Sequence, residues 1–313
     1  MYSIGVDIGG MSIKVGVVNE QGKILKQIRF KTVDSQEQCI LTLIETINAL
    51  LKDFSLTDKD INGIGIGCPG AVSSETGEIV CLPNLGWENL PLAKILNEKF
   101  DTRIELSNDA NVAVLGEVIY GAAKNYKTVV MFTLGTGVGG GIVIDKKLFE
   151  GGWSRGAELG HINLVLDGEP CTCGRSGCVE RYVSATALIE QTKRAMLNDK
   201  ESSMWQFVKG DINLVDGRTA FECSKTGDRT ANKVVDNYVK YLGESMLSMF
   251  NIFRPEAFIL GGGVSAQGEY LNQKLRDYCE KYDYGYPDSP RTEILTATLG
   301  NDAGIIGAAA LLV

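Results

Sequence analysis

Twice along this chain of 313 residues, an alternating apolar run meets clustered glycines and a second alternating run follows. That duplication limits the fold more than any other feature. The first copy runs from Tyr2 to Asp7, through Ile8-Gly9-Gly10-Met11, and on from Ser12 to Val18. A turn at Glu20-Gln21-Gly22 and a third run from Lys23 to Lys31 extend it. The second copy runs from Thr128 to Leu134, through Gly135-Thr136-Gly137-Val138, and on from Gly139 to Ile144. Period-two alternation broken by glycines predicts antiparallel strands joined by tight turns.

Helix and strand signals alternate after each copy. Cys39, Leu43, Ile47, Leu50 and Leu51 mark a helix over 36–53, and Ile61 to Gly67 reads as a buried strand. Pro91 opens a short helix to Phe100, Arg103 to Leu106 is a strand, and Ser107-Asn108-Asp109 supplies helix-start residues before Ala110 to Tyr120. In the second half the signals are helix over 184–210, a polar stretch over 224–232 and helix over 230–251. Strand Ala257 to Leu260, helix 268–282, strand Glu293 to Thr296 and a small-residue helix from Asn301 to Val313 follow. The repeat is too degenerate to rest on residue identity. It predicts two α/β domains facing each other across a cleft, the default place for a ligand.

Composition excludes some classes. A net charge of −8 with no Lys/Arg run argues against a nucleic-acid surface. No apolar run approaches the roughly 20 residues of a membrane span. Met1-Tyr2-Ser3-Ile4-Gly5 lacks the basic and apolar regions of a signal peptide, so the expected location is cytoplasmic.

The only histidine, His161, lies ten residues before Cys171, and Cys171, Cys173 and Cys178 follow in C-x-C-x4-C spacing. Three thiolates and one imidazole make a tetrahedral zinc set. Four protein ligands leave no position for a reactive water, so the expected metal is structural Zn²⁺. The remaining cysteines are scattered among apolar residues and read as buried, reduced thiols.

The glycine loops suggest phosphate. Gly9 and Gly10 let the backbone approach phosphate oxygens with its N–H groups, and Asp7 before them suits a hydrated Mg²⁺. Gly135 to Gly141, and Gly261-Gly262-Gly263 between a strand and a helix, repeat the device. Each alone is only a turn. None fits G-x-x-x-x-G-K-[ST], and Gly137-Val138-Gly139 is not followed by the helix that a dinucleotide fingerprint needs. Three loops in three α/β contexts point to a nucleoside triphosphate.

Taken together, these residues resemble the ROK sugar kinases (repressor, open reading frame, kinase) of the actin/hexokinase superfamily, over essentially the whole chain. Cys171 to Ser184 follows C-x-C-G-x-x-G-C-x-E-x-x-x-S, Glu158 to His161 follows E-x-G-H, and Asn108-Asp109-Ala110-Asn111 matches the segment of the catalytic aspartate. The resemblance implies two actin-like ATPase (ribonuclease H-like) domains with an interdomain cleft. They would span 1–120 with 300–313, and 121–299 with a zinc loop at 158–180. It implies transfer of the ATP γ-phosphoryl group to O6 of a hexose, with Asp109 as the base. Asn84, Asn108, Asp109, Glu158, His161 and Glu180 would meet the sugar. Asp7, Gly9, Gly10, Ser12, Lys14, Gly135, Thr136, Gly137, Gly139, Gly261, Gly262 and Gly263 would meet ATP and Mg²⁺.

Asn84 in Pro83-Asn84-Leu85-Gly86-Trp87, with Glu158 and His161, looks most like the glucokinase branch, so D-glucose is the expected acceptor. N-acetylmannosamine, N-acetylglucosamine, fructose or a β-glucoside are the alternatives. Family members are commonly homodimers or homotetramers. Sugar-responsive repressors of the family carry an amino-terminal helix-turn-helix, for which a phosphate loop starting at Asp7 leaves no room. Two of these residues also have plain structural readings: Asp109 as a helix cap, Asn84 as a turn residue. One departure stands out. The family usually has Thr where this chain has Met11, which leaves Ser12 as the nearest hydroxyl and a non-catalytic sugar sensor as a further reading.

Overall fold

In the computed structural model, which describes residues 1–33, 35–285 and 290–313, Cα packing divides the chain into two units. The first comprises 1–127, 141–157 and 298–313; the second comprises 128–140 and 158–297.

In the first unit, β1 (Tyr2–Ile8), β2 (Ser12–Asn19) and β3 (Ile24–Lys31) form the expected antiparallel meander. After α1 (Gln36–Asp53) the chain enters β4 (Ile61–Cys68), which lies parallel to β1. Three short strands, β5 (Ala71–Ser73), β6 (Glu78–Leu82) and β7 (Trp87–Leu90), make a separate antiparallel sheet. Then follow α2 (Leu92–Asn97), β8 (Ile104–Asn108) parallel to β4, and α3 (Asp109–Ile119). The main sheet has the order β3–β2–β1–β4–β8. Alternation sets its faces. Ile4, Val6 and Ile8 join Leu43, Ile47 and Leu50 of α1 in one core. Gly5 of β1 and Gly65 of β4 turn to the other side, under the closing small-residue helix. A Cβ on Gly5 would lie 2.1 Å from the Ile305 carbonyl oxygen, and one on Gly65 would lie 1.8 Å from that of Ala308. Only glycine admits so close a backbone.

Glu117, in the last turn of α3, is completely buried. Its carboxylate accepts from the N–H groups of Ala122, Thr298 and Leu299 and from the Thr298 hydroxyl, at 2.8–3.0 Å. A buried carboxylate with four donors is tolerable where an unpaired one is not. The bonds fasten α3 to the point where the chain re-enters this unit.

The second unit holds β9 (Val129–Leu134) and the start of β10 (Val138–Ile144); β11 (Lys147–Leu148) follows. Residues 141–157, expected above in the second domain, pack with the first unit instead. The physical reason is local. The Lys146 ammonium donates to the carbonyls of Val118 and Lys124, and Glu150 accepts from the hydroxyls of Ser74 and Ser107, both at 2.5 Å. Beyond the cysteine segment come α4 (Glu180–Val183), α5 (Ala185–Asn198), α6 (Met204–Phe207), α7 (Thr219–Lys225) and α8 (Arg229–Phe253). The region 198–232 is ordered by Asp228, which caps α8 at Ala231 and accepts from Ser202 and Ser203. Then β12 (Ala257–Gly261), α9 (Glu269–Tyr282) and β13 (Glu293–Thr296) complete a sheet of order β11–β10–β9–β12–β13, with β12 parallel to β9 and β13. The last helix is α10 (Ala303–Ala310), in the first unit. Among the described residues no helix is long and apolar enough to cross a membrane.

Candidate functional site

Parallel strands end on one edge of their sheet, and in open α/β sheets that carboxyl edge is where ligands bind. In the first unit Asp7 is level with Gly67, and Cys68 is level with Asn108. The loop after β1 and the start of α3 therefore share an edge. Gly9 N–H bonds the Ser12 carbonyl at 3.0 Å, and the Thr32 hydroxyl donates to the Gly9 carbonyl at 2.8 Å. Lys14 holds Asp7 Oδ2 at 2.9 Å and the Asn301 carbonyl at 3.2 Å. Asp7 also packs so tightly on α10 that a Cβ at Gly304 would sit 2.5 Å from its Cγ. Magnesium keeps most of its waters and needs only one or two carboxylate oxygens beside phosphate. Asp7 Oδ1 fits that demand while Lys14 occupies Oδ2.

Asn84 is exposed on the turn between β6 and β7, where Leu85 and Gly86 donate back to Leu82 and Pro83 and Gly86 has φ +64°. It is a turn residue, as its sequence allows. It is also next to the first loop, since a Cβ on Gly10 would meet Asn84 Cβ at 3.9 Å. Asn108 is the cap of α3: its Oδ1 accepts from Ala110 N–H at 2.9 Å and its Nδ2 donates to the Gly70 carbonyl at 3.1 Å. Asp109 is the first helical residue, and its Oδ1 lies 2.8 Å from the same Ala110 nitrogen. Burial, and after it the charge of Asp109, pushes the Cys68 thiol well above its ordinary range, which makes Cys68 an inert neighbour.

In the second unit Thr133 is level with Gly261, so the loop after β9 and the glycines ending β12 share an edge too. Gly262 has φ +79°, and a Cβ there would stand 2.5 Å from the Leu134 carbonyl oxygen. Gly263 begins a 3-10 turn to Gln267. The second loop is narrower than its run of glycines suggests: β10 begins at Val138, so Gly139 lies in a strand, leaving Gly135, Thr136 and Gly137 as the turn. Ala185 N–H bonds the Gly135 carbonyl at 2.8 Å, and the Thr186 hydroxyl donates to the Thr136 carbonyl at 2.8 Å.

The four zinc candidates come together. Their ligand atoms all lie within 4.8 Å of one another, with Cys173 Sγ 3.6 Å from Cys178 Sγ and Cys171 Sγ 3.7 Å from His161 Nδ1. Zn–S bonds near 2.3 Å and Zn–N bonds near 2.0–2.1 Å in a tetrahedron set donor–donor edges of about 3.6–3.8 Å. The set fits zinc. The Arg175 backbone N–H pulls the exposed Cys173 thiol down to about 6, while burial pushes Cys178 up to about 11. With Nδ1 turned to the thiolates, His161 Nε2 is the nitrogen left for another partner. Glu180, at the start of α4, joins this cluster to the second loop. Its Oε2 accepts from Val138 N–H at 3.0 Å, and its Oε1 is 4.0 Å from Cys171 Sγ. Glu158 is exposed, and its carbonyl accepts from His161 N–H at 3.0 Å.

Two groups escaped the sequence reading. Arg29 Nε donates to Ser12 Oγ at 2.8 Å beside the first loop. The parity of β3 places residue 29 on the face of Lys14, so alternation held that signal. Thr186, which pins the second loop, gave none, because a contact over fifty positions has no local period.

The model of the ROK family matches residues 3–313. A glucokinase of Thermotoga maritima is 37% identical over 99% of this chain and 96% of that protein, and a glucokinase of Halalkalibacterium halodurans is 33% identical over 98% and 93%. The crystal structure of a ROK family glucokinase from Streptomyces griseus, in complex with glucose and AMPPNP, superposes with a TM-score of 0.80 at 33% identity, covering 99% of each chain.

Proposed function

The chain belongs to the ROK family, whose fold is two actin-like ATPase domains, and from that premise we propose that it is a glucokinase, transferring the γ-phosphoryl group of ATP to O6 of D-glucose. One observation carries this reading. In the first unit the glycine loop after β1 and the carboxylate at the start of α3 end parallel strands on one sheet edge, with Asn84 beside the loop.

Phosphoryl transfer needs positioning, charge neutralisation and a base near the attacking hydroxyl more than covalent help. The backbone N–H groups of Gly10, Thr136 and Gly137 receive phosphate oxygens; Gly9 and Gly135, whose N–H groups close their own turns on the Ser12 and Gly137 carbonyls, keep the approach free of side chains, and the glycines ending β12 lie along the nucleotide. Asp7 is the carboxylate for Mg²⁺, which neutralises phosphate charge when bound. Asp109 accepts the O6 proton; Asn108 takes over the capping of α3, so the carboxylate is not needed there. Asn84, Glu158, Glu180 and His161 Nε2 hydrogen-bond the other sugar hydroxyls. Such a site rejects an analogue lacking a hydroxyl, because a partner covered by the bound sugar would go unpaired.

His161, Cys171, Cys173 and Cys178 would hold a structural Zn²⁺, which would fix the imidazole's plane and tautomer. The cluster thereby ties folding of the cysteine segment to sugar recognition. Homodimeric or homotetrameric assembly and a cytoplasmic location complete the proposal.

Met11, 83% exposed at the loop tip without a donor group, favours a second reading, a sugar sensor that does not turn over. Purified protein with Mg-ATP and a panel of sugars separates the two by ADP release. Fast turnover with glucose, and little with fructose or N-acetylated hexoses, is the expected result. Turnover with another sugar alone would move the acceptor, and sugar binding without ADP release from any of them would establish the sensor.

A further inference from the structure

Strand pairing sets Ser12 opposite Lys31 and Lys14 opposite Arg29. Directly paired residues share a face, so a hydroxyl and three cations line one side of the hairpin beside Gly9 and Gly10. The other side is apolar, with Ile13 and Val15 in the core. Two like charges directly opposed destabilise a sheet, and Asp7 relieves only Lys14. Among the described residues, the one bond of the exposed Arg29 side chain is Nε to Ser12 Oγ. A guanidinium held through Nε keeps the N–H groups of both terminal nitrogens, a fork matched to phosphate oxygens. In a chain of net charge −8, a cation tethered at the mouth of a glycine loop, with no carboxylate partner among the described residues, calls for an explanation.

We infer that Arg29 is a nucleotide-binding residue that grips the terminal phosphate of ATP at the first loop, with Ser12 as its tether. It supplies the donor that Met11, with only a thioether, lacks. The inference rests on the reading of this loop as a phosphate site. It predicts discrimination between triphosphate and diphosphate, which a merely structural hairpin residue would not give.

The test compares wild type with Arg29→Ala, Arg29→Lys and Ser12→Ala. The readouts are KM for ATP and glucose, calorimetric affinities for Mg-AMPPNP and Mg-ADP, and thermal midpoint. Arg29→Ala should weaken AMPPNP and raise KM for ATP by roughly tenfold, the scale of one charge-assisted hydrogen-bonded contact. ADP affinity should change less than about twofold, and glucose KM and the thermal midpoint should hold. Arg29→Lys keeps charge but not the fork and should recover to within about threefold. Ser12→Ala frees the guanidinium and should fall between the two. Unchanged AMPPNP affinity in Arg29→Ala, or equal losses for AMPPNP and ADP, would overturn the inference while leaving the kinase reading intact. A wild-type protein that binds neither nucleotide would overturn the kinase reading and this inference with it.

Discussion

The glycine turns after β1 and β9 occupy equivalent places in their sheets but are fastened in different ways. The turn at Gly9-Gly10 is held by its own hairpin: Ser12 closes it, and Thr32 binds it twice, through its hydroxyl to the Gly9 carbonyl and its N–H to the Met11 carbonyl. The turn at Gly135–Gly137 also closes on itself, Gly135 N–H to the Gly137 carbonyl at 3.0 Å, but its other fasteners come from some forty to fifty residues away: Ala185, Thr186 and, at Val138, Glu180. Those fasteners adjoin the cysteine segment. Space differs as well: a Cβ on Gly10 meets only Asn84 at 3.9 Å, whereas one on Gly137 would lie 2.3 Å from Glu180 Oε2. Change at the tip of a locally fastened turn should stay local. Change at a turn fastened to a ligand cluster should reach that cluster.

Four expected outcomes sharpen or break this contrast. The largest belongs to Cys173→Ser. It should lose bound zinc and weaken glucose binding by about 100-fold, the upper range for damage to a metal site's support. Metal analysis beside calorimetry checks both, and normal sugar affinity in zinc-free protein would break the link. Next is Glu180→Ala, which leaves the Val138 N–H unpaired and should cost about 1–3 kcal/mol in urea unfolding. Gly137→Ala should displace the same carboxylate and cost about 1–2 kcal/mol, against under about 0.5 kcal/mol for Gly10→Ala. Equal losses at Gly10 and Gly137 would refute the contrast.

The smallest effect lies away from both turns. Burial works against the Asp228 carboxylate, but the Ala231 and Ser203 N–H groups and the Ser203 and Ser202 hydroxyls outweigh it and hold its pKa below the ordinary value. A folded pKa lowered this way gives stability that is complete above the unfolded value near 3.9 and is lost as pH falls through the lowered value. Asp228→Asn should flatten the acid side of the stability profile as pH falls below the unfolded carboxylate value near 3.9. It should leave sugar affinity unchanged.

Much of this was written in local sequence. The helix over 36–53 and the meander from Tyr2 to Lys31 formed as expected, because their apolar periods are long enough to be unambiguous. The sheet of β5, β6 and β7 was not legible. Strands of three to five residues are too short to show alternation, and Pro83-Asn84-Leu85-Gly86 registers only as a turn. The start of α8 was read to within one residue, but α7, which ends in the polar stretch over 224–232, was not legible; nor were the bonds of Asp228 to Ser202 and Ser203, which no local window contains. Within the sites, the gathering of His161 with Cys171, Cys173 and Cys178 was legible because one histidine and three closely spaced cysteines leave few alternatives. Glu180 as the strut of the second turn was not, because it depends on folding across forty residues.

The most direct test of the central claim is Asp109→Asn, assayed for glucose binding and phosphorylation together. The substitution keeps the shape of the first helical residue of α3, and Asn108 still provides the cap. Loss of the base should lower kcat by roughly 10³-fold, with glucose affinity within a few-fold of wild type. Turnover close to wild type in this variant would contradict the assignment of Asp109 and the mechanism built on it.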